Sequence, residues 1–437
     1  MPSQHDILLK GATVVDPVNN RNAVMDVAVA DGRIADILPE MDPELAAESI
    51  DLGGFHLVPG IIDLHVHASS WLGGRYGHKM MALAGVPLGL EFRFLDPAAD
   101  ACAGVAGKVL QARFEDAEAA RAWAADIDVA TFDFENVPAA TARALEEITP
   151  LYPASNALDA CQDRLVEKQL LESLGIGVAG YHAVSSRTEL VEGLERLGYP
   201  AVLKTRRLGY DGKGQVVLRD PEDRERAWQK LGDAELILEA FVPFDAECSL
   251  VGVRGADGDT RFWPLTQNVH DRGILALSRP GSFEPALQAD AEARMTRLMD
   301  HFDYRGVLTI EFFFCGGELL ANEIAPRVHN SGHWTIDGSD CSQFENHVRA
   351  VSGMPLGRTN RAQHALMFNW IGSMPDRERA LAVPGLHWHE YGKAPRPGRK
   401  IGHATLTADD HGELMANAGR LAELAGGVFP GLVQRLD

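Results

Sequence analysis

Near residue 80 the chain changes its period, and that change restricts the folds open to it. From 6 to 58 it reads as short strands broken by turns, "DILLKGATVVD", "MDVAVADGRIADIL" and "IDLGGFHLVPG", with Asp31-Gly32 as a hairpin signal. From about 80 to 150 helix and strand patterns alternate: "MMALAGVPLG", "LEFRFLD", "AEAARAWAA", "IDVATFDFENV", "ATARALEEI". Strands joined by helical crossovers pair in parallel, so a doubly wound parallel α/β domain is expected after a small β-rich segment. The remainder reads as mixed α+β. It holds a helix "DRLVEKQLLESLG", a strand "PAVLKTR", a glycine-rich loop and strands through "LILEAFVPFDAECSLVGVRG". A helix near 288 to 301, the hairpin "GVLTIEFFF" to "ELLANEI" and a helix "GELMANAGRLAELAG" follow.

Composition narrows the function. A net charge of -21 argues against a nucleic-acid surface, which needs a concentrated positive field. No apolar run of membrane-spanning length and no charged-then-apolar leader is found, so a cytoplasmic protein with no membrane partner is expected. Cys102, Cys161, Cys248, Cys315 and Cys341 are scattered without CxxC spacing, which suits a reducing compartment.

The most informative pair is Glu311 and Glu323, whose midpoint falls on the Gly316-Gly317 turn. A tight hairpin brings them opposite or nearly opposite each other on neighbouring strands. Two such carboxylates repel, and a divalent cation such as Mg²⁺ on nucleotide phosphates removes that penalty. Asn322 precedes the second, and "APRVHNSGHWT" follows with Arg327, His329, Asn330 and Ser331. Lys204 ends an apolar strand, and the loop "GYDGKGQ" offers backbone N–H groups to phosphate oxygens. Glu239 suits an adenine amino group, and Glu247 suits ribose hydroxyls.

In this order, Lys204, "GYDGKGQ", "EAFV", Glu247, "LTQNVHDRGIL", Glu311 and "NEIAPRVHNSGHWT" resemble the ATP-grasp superfamily, and within it the 5-(carboxyamino)imidazole ribonucleotide synthase family. The resemblance runs from about Met80 to near the carboxyl terminus, with "RPGRKIGH" as a further signature. It implies an ATP-dependent ligase of purine biosynthesis that joins bicarbonate to 5-aminoimidazole ribonucleotide, with Mg²⁺, in a homodimer. It also implies four segments: an N-terminal β segment to 70, a pre-ATP-grasp α/β domain over 71–163, an ATP-grasp domain over 164–355 and a C-terminal domain over 356–437. Carried over by residue, Arg164, Lys204, Gly209, Tyr210, Asp211, Gly212, Lys213, Gly214, Gln215, Glu239, Ala240, Phe241, Val242, Glu247, His270, Asn322 and Glu323 become ATP contacts. Glu311 and Glu323 become metal ligands. Lys204, Asp211, Lys213, Arg327, His329 and Asn330 become the catalytic set. Lys393, Arg399 and Lys400 hold the substrate phosphate, with Arg327 beside them and Glu135 at the ribose.

The opening stretch points elsewhere. "DILLKGATVVDP", "DGRIADI" and "LVPGIIDLHVH" resemble the start of cyclic amidohydrolases, where a His-x-His such as His65 and His67 binds metal from one face of a strand. Such a site needs further ligands from later barrel strands, and the sequence after 70 belongs to a different fold. A metal-dependent cyclic amidohydrolase is therefore the second reading, and a nucleotide-binding protein with an impaired substrate site the third. The ligase family begins with an apolar strand and a loop of the type GGGQLGR. Here Gly73 and Gly74 remain, while Arg75, Tyr76 and His78 are bulky where close backbone approach is expected. The first parallel strand is expected from "IIDLHVHAS", from "SSWLG", or not at all.

Overall fold

The structure, a computed structural model, describes residues 5–16, 21–57, 67–72, 76–98, 101–209, 214–360 and 364–436. The chain divides into two compact units, Met1–His65 and Val66–Asp437. The described residues of the first form a five-stranded sheet. Its strands His5–Asp16, Arg21–Ala30 and Arg33–Leu38 are antiparallel, and Ala46–Asp51 and His56–Leu57 pair in parallel with the first. Asp31 and Gly32 turn the hairpin with φ of 53° and 69°, the left-handed pair that matches strand twist. The core is small, built on Leu8, Ala28 and Met41. Beside it Asp26 accepts from Lys10 Nζ at 2.7 Å and from the Gly11 and Met41 amides.

The described residues of Val66–Asp437 form two four-stranded sheets and one nine-stranded sheet. The first is the parallel sheet of the α/β domain. His67–Leu72 pairs with Leu90–Asp96 on one side and Val129–Phe132 on the other, and Lys108–Gln111 lies outside Leu90–Asp96. The first parallel strand is thus "HASSWL", assembled from parts of both expected sources. The compact units part at His65, and the residues on either side of 70 belong to one strand. In chain order the sheet reads 3-2-1-4, so its direction of winding switches between the first and fourth strands. Ligands of such sheets bind at the carboxyl ends of the strands at that switch.

The second sheet is antiparallel, in the order Tyr181–Val184, Leu236–Ala240, Ala201–Thr205, Gln215–Leu218. The nine-stranded sheet starts at Glu318–Ala325 and Gly306–Cys315 and continues through Ala246–Arg254, Thr266–Asp271 and Ile274–Pro280. There it joins His364–Ile371, through Leu277↔Phe368, and then Lys400–Ala408 and Leu386–Glu390. One sheet therefore crosses the expected boundary at 356 and links the C-terminal basic segment to the glutamate hairpin. Among the described residues no helix is long and apolar enough to cross a membrane.

The helix Gln343–Ser352 buries His347 between sheets. His347 Nδ1 accepts from the Val307 amide at 3.0 Å, so Nε2 carries the proton and donates to Thr131 Oγ1 at 2.8 Å. Burial depresses its pKa to about 3, against a smaller raising by Asp133. His333 and His403 are also held well below the usual imidazole range by burial. Below about pH 6.5 the unfolded chain takes up protons that these folded imidazoles refuse. Stability is therefore present above pH 6.5 and lost as pH falls toward the depressed values. Melting curves from pH 7.5 to 4.5 should show this decline, and His347→Gln should flatten it.

Candidate active site

The site is built on the hairpin of Gly306–Cys315 and Glu318–Ala325. Gly316 and Gly317 take φ of 57° and 91°, which residues with a Cβ resist. A ladder closed at Cys315↔Glu318 would, by strict alternation, oppose Glu311 with Asn322 and turn Glu323 to the other face. Instead the register steps from Phe312↔Ala321 to Glu311↔Glu323, leaving Asn322 as the extra residue of a β-bulge. That one residue puts both carboxylates on one face.

Their surroundings differ. Burial acts to raise the Glu311 pKa, but the hydrogen bond from His329 Nε2 at 3.0 Å and the charges of His329, His270 and Lys400 bring it down to about 2. Glu323 is raised, by burial first and by Glu311 next, despite Arg164 at 3.6 Å. The helix Arg164–Ser173 adds a third carboxyl: buried Glu167 accepts from the Ile324 amide at 2.6 Å, and burial and Glu323 raise it to about 8.

Several residues expected to contact the nucleotide lie on the antiparallel sheet. Lys204 Nζ donates to Glu239 Oε2 at 2.9 Å, and buried Lys168 stands 3.6 Å from the same oxygen. Glu239 is 3% exposed, and its other oxygen is buried with no hydrogen-bond partner among the described residues. A buried unsatisfied acceptor is costly, so this atom fits a donor arriving with a ligand. Lys204 pairs with Gln215 across the hairpin that carries the glycine-rich loop. Gly209 O accepts from Arg164, and Gly214, at φ 74°, would place a Cβ 2.7 Å from Thr205 Oγ1. Tyr210, Asp211, Gly212 and Lys213 lie outside the described residues. Ala240 and Phe241 donate their amides to Gly180 and Pro200, and Phe241 is exposed, next to half-buried Val242. Glu247 Oε2 and His270 Nδ1 are 2.8 Å apart.

His329 Nδ1 bonds Ser331 Oγ, which accepts from Ser249 Oγ, the residue opposite Glu311 on the neighbouring strand. Asn330 makes a reciprocal amide pair with Asn369, at 3.1 and 2.8 Å, which assigns its side chain to holding this segment. Arg327 pairs with Glu135, at the carboxyl end of the fourth parallel strand. The Cys161 thiol is pushed well up by burial, with the charges of Glu167, Glu135, Arg327 and Glu323 acting on it as well. Lys400 opens the strand Lys400–Ala408, within electrostatic reach of Glu311 and His270. The Lys393 Nζ is 5.7 Å from the Tyr391 ring centre, and its charge reaches Cys102 together with those of Asp133, Lys79 and Asp96. Arg399 donates to Ala394 O at 3.1 Å in the turn before that strand.

Sequence reasoning missed several groups. Asp163 caps the helix by accepting from Leu165 N, and it also takes Arg206 at 2.9 and 2.7 Å, which fixes Arg164 at the helix start. The Asp before the helical run was the available signal. Glu167 and Lys168 carried none, because a charged pair in a helix reads as a solvated face. Close backbone approach at the switch point falls on Gly77, where a Cβ would lie 1.9 Å from Asp133 Oδ2. His78 is accommodated by burial, its Nδ1 3.0 Å from Asp133 Oδ1. Gly73, Gly74, Arg75 and His65 lie outside the described residues, as does the His67 side chain.

Three family models match in sequence: a ribonucleotide synthetase preATP-grasp domain over 70–162, an ATP-grasp domain over 169–344 and a phosphoribosylaminoimidazole carboxylase C-terminal domain over 365–417. The N5-carboxyaminoimidazole ribonucleotide synthase of Pseudomonas aeruginosa is 51% identical over 352 residues, 80% of this chain and 96% of its own. The chain belongs to the N5-carboxyaminoimidazole ribonucleotide synthase family. The crystal structure of the Thermus thermophilus synthetase matches with a TM-score of 0.79 at 48% identity, covering 82% of this chain and 99% of that one. An Aspergillus clavatus synthase in complex with ADP and 5-aminoimidazole ribonucleotide matches with a TM-score of 0.77 at 27% identity, covering 82% and 99%. Membership makes the chain an ATP-grasp ligase, with the preATP-grasp domain supplying the parallel sheet.

Proposed function

We propose that the chain carboxylates 5-aminoimidazole ribonucleotide with bicarbonate and ATP, giving 5-carboxyaminoimidazole ribonucleotide, ADP and phosphate through carboxyphosphate, in purine biosynthesis. The observation that carries the reading is the bulge that aligns Glu311 with Glu323 beside Lys204 and Glu239. A bicarbonate oxygen attacks the γ-phosphorus, and the bond to the β–γ bridging oxygen breaks, releasing ADP. Lys204 and Arg327 offset the charge of the transferring group. Carboxyphosphate releases CO₂ to the substrate amine, whose proton passes to phosphate, while the closed site excludes water.

Two hard carboxylates, one of them disfavoured as an anion by the other, fit Mg²⁺. Glu311 and Glu323 would hold the ion, which when bound supplies positive charge against the nucleotide phosphates. Lys393, Arg399 and Lys400 act on the substrate phosphate, Glu135 on its ribose, and His329 orients Glu311. Asp211 and Lys213 act from the loop. The homodimer rests on the family resemblance, and the cytoplasmic location on the reading of composition and cysteine pattern.

The resemblance of residues 1–70 to an amidohydrolase start is kept as a reading of origin rather than of activity. His65 and the His67 side chain, which an amidohydrolase site would need, lie outside the described residues. The test is product analysis with ATP, Mg²⁺, bicarbonate and 5-aminoimidazole ribonucleotide. The reading expects ADP and the carboxylated ribonucleotide in equal amounts. ADP release indifferent to the ribonucleotide would instead favour an impaired substrate site, and hydrolysis of a cyclic amide would favour the amidohydrolase.

A further inference from the structure

We propose that Lys168 is a positioning residue that ties the nucleotide-gripping strand to the glutamate hairpin, so that base-side binding and metal-side binding are coupled through one buried ammonium. The inference rests on the ATP-grasp reading and deepens it. Lys168 is 1% exposed, on the helix Arg164–Ser173. Its Nζ donates to Asn322 O at 3.3 Å and stands 3.6 Å from Glu239 Oε2. The first partner is the bulge residue that brings Glu323 into register with Glu311. The second is the buried carboxylate that also receives Lys204 at 2.9 Å. A lysine is rarely buried without partners, because taking its charge out of water is expensive. Here that cost is offset in part by contacts to two strands of different sheets, and burial still holds the Lys168 pKa below its ordinary value. Burial alone would push the Glu239 pKa up, yet Lys204 and then Lys168 bring it below the ordinary value, so the carboxylate stays an acceptor.

The geometry gives Lys168 a task that Lys204 cannot perform. Lys204 lies on the adjacent strand Ala201–Thr205 and spends its hydrogen bond on Glu239, whereas Lys168 also donates to the bulge residue. Loss of the Lys168 charge should leave Asn322 O without its buried donor and weaken the alignment on which Glu323 depends.

The test measures ADP affinity by calorimetry with Mg²⁺ and with EDTA. In the unaltered chain Mg²⁺ tightens ADP binding; no nucleotide binding there would defeat the ATP-grasp reading itself. In folded Lys168→Met, the Mg²⁺·ADP dissociation constant should rise by about tenfold or more. The gain that Mg²⁺ confers should shrink with it. In a Glu239→Gln background the same substitution should cost less, because the Lys168–Glu239 arm of the coupling is already broken. A lowered melting temperature with an unchanged Mg²⁺ gain would mean a structural role only and would overturn the proposal. Should Lys168→Met not fold, hydrogen exchange on the unaltered chain decides. ADP without metal should protect Glu318–Ala325 along with Leu236–Ala240, and protection confined to Leu236–Ala240 would sink the coupling.

Discussion

Glu323→Gln should reduce bicarbonate-dependent ADP release by about a thousandfold while leaving the nucleotide-free protein at least as stable as before. The activity loss follows from taking one hard oxygen ligand from a pair whose alignment costs a bulge. The stability result follows from the raised pKa: burial and Glu311 already disfavour the Glu323 anion, so a neutral amide removes a repulsion. Glu311→Gln should match it in activity and differ in stability. Glu311 is depressed to about 2 by His329, His270 and Lys400 acting against burial. Its contribution is present above the ordinary carboxylate value and lost as pH falls toward 2. Removing that charge should lower the melting temperature at neutral pH. Kinetics and melting curves of the two variants check both halves, and equal loss of stability would contradict the assignment.

The second large effect concerns the junction. A chain beginning at Val66 should fold and bind Mg²⁺·ADP, whereas one beginning at Gly73 should not fold. His67–Leu72 occupies an interior position in the parallel sheet, paired over Leu90–Asp96 and Val129–Phe132. Removing it exposes two unpaired strand edges and uncovers the packing of Phe94, Phe132 and Leu95. A cut at Ser70 runs through the same strand and should behave like the cut at Gly73. Circular dichroism and nucleotide titration of the shortened chains are the measurements. A folded chain from Gly73 would show that another segment supplies the first strand.

Much of the site was legible because its elements are local. The two-residue glycine turn, the βα alternation and the lysine before a glycine-rich loop each follow from short-range sterics and period. The bulge was not legible, since an extra residue in one strand leaves no mark on alternation until the partner strand fixes the register. Asn330, expected in the catalytic set, is hydrogen-bonded to Asn369, a residue 39 positions away that no local pattern points to. Glu167 and Lys168 gave no signal in the sequence and are buried against the hairpin, on Ile324 N and Asn322 O.

The sequence by itself determined the classes of structure and the order of the segments, because turn chemistry and hydrophobic period act over a few residues. Only the tertiary structure decided which strand opens the parallel sheet, that one sheet carries the C-terminal basic segment to the glutamate hairpin, and which buried charges hold the two halves of the site in register. Those outcomes depend on pairings between residues far apart in the chain, and a local pattern carries no information about which distant partner will neutralise a charge or complete a ladder.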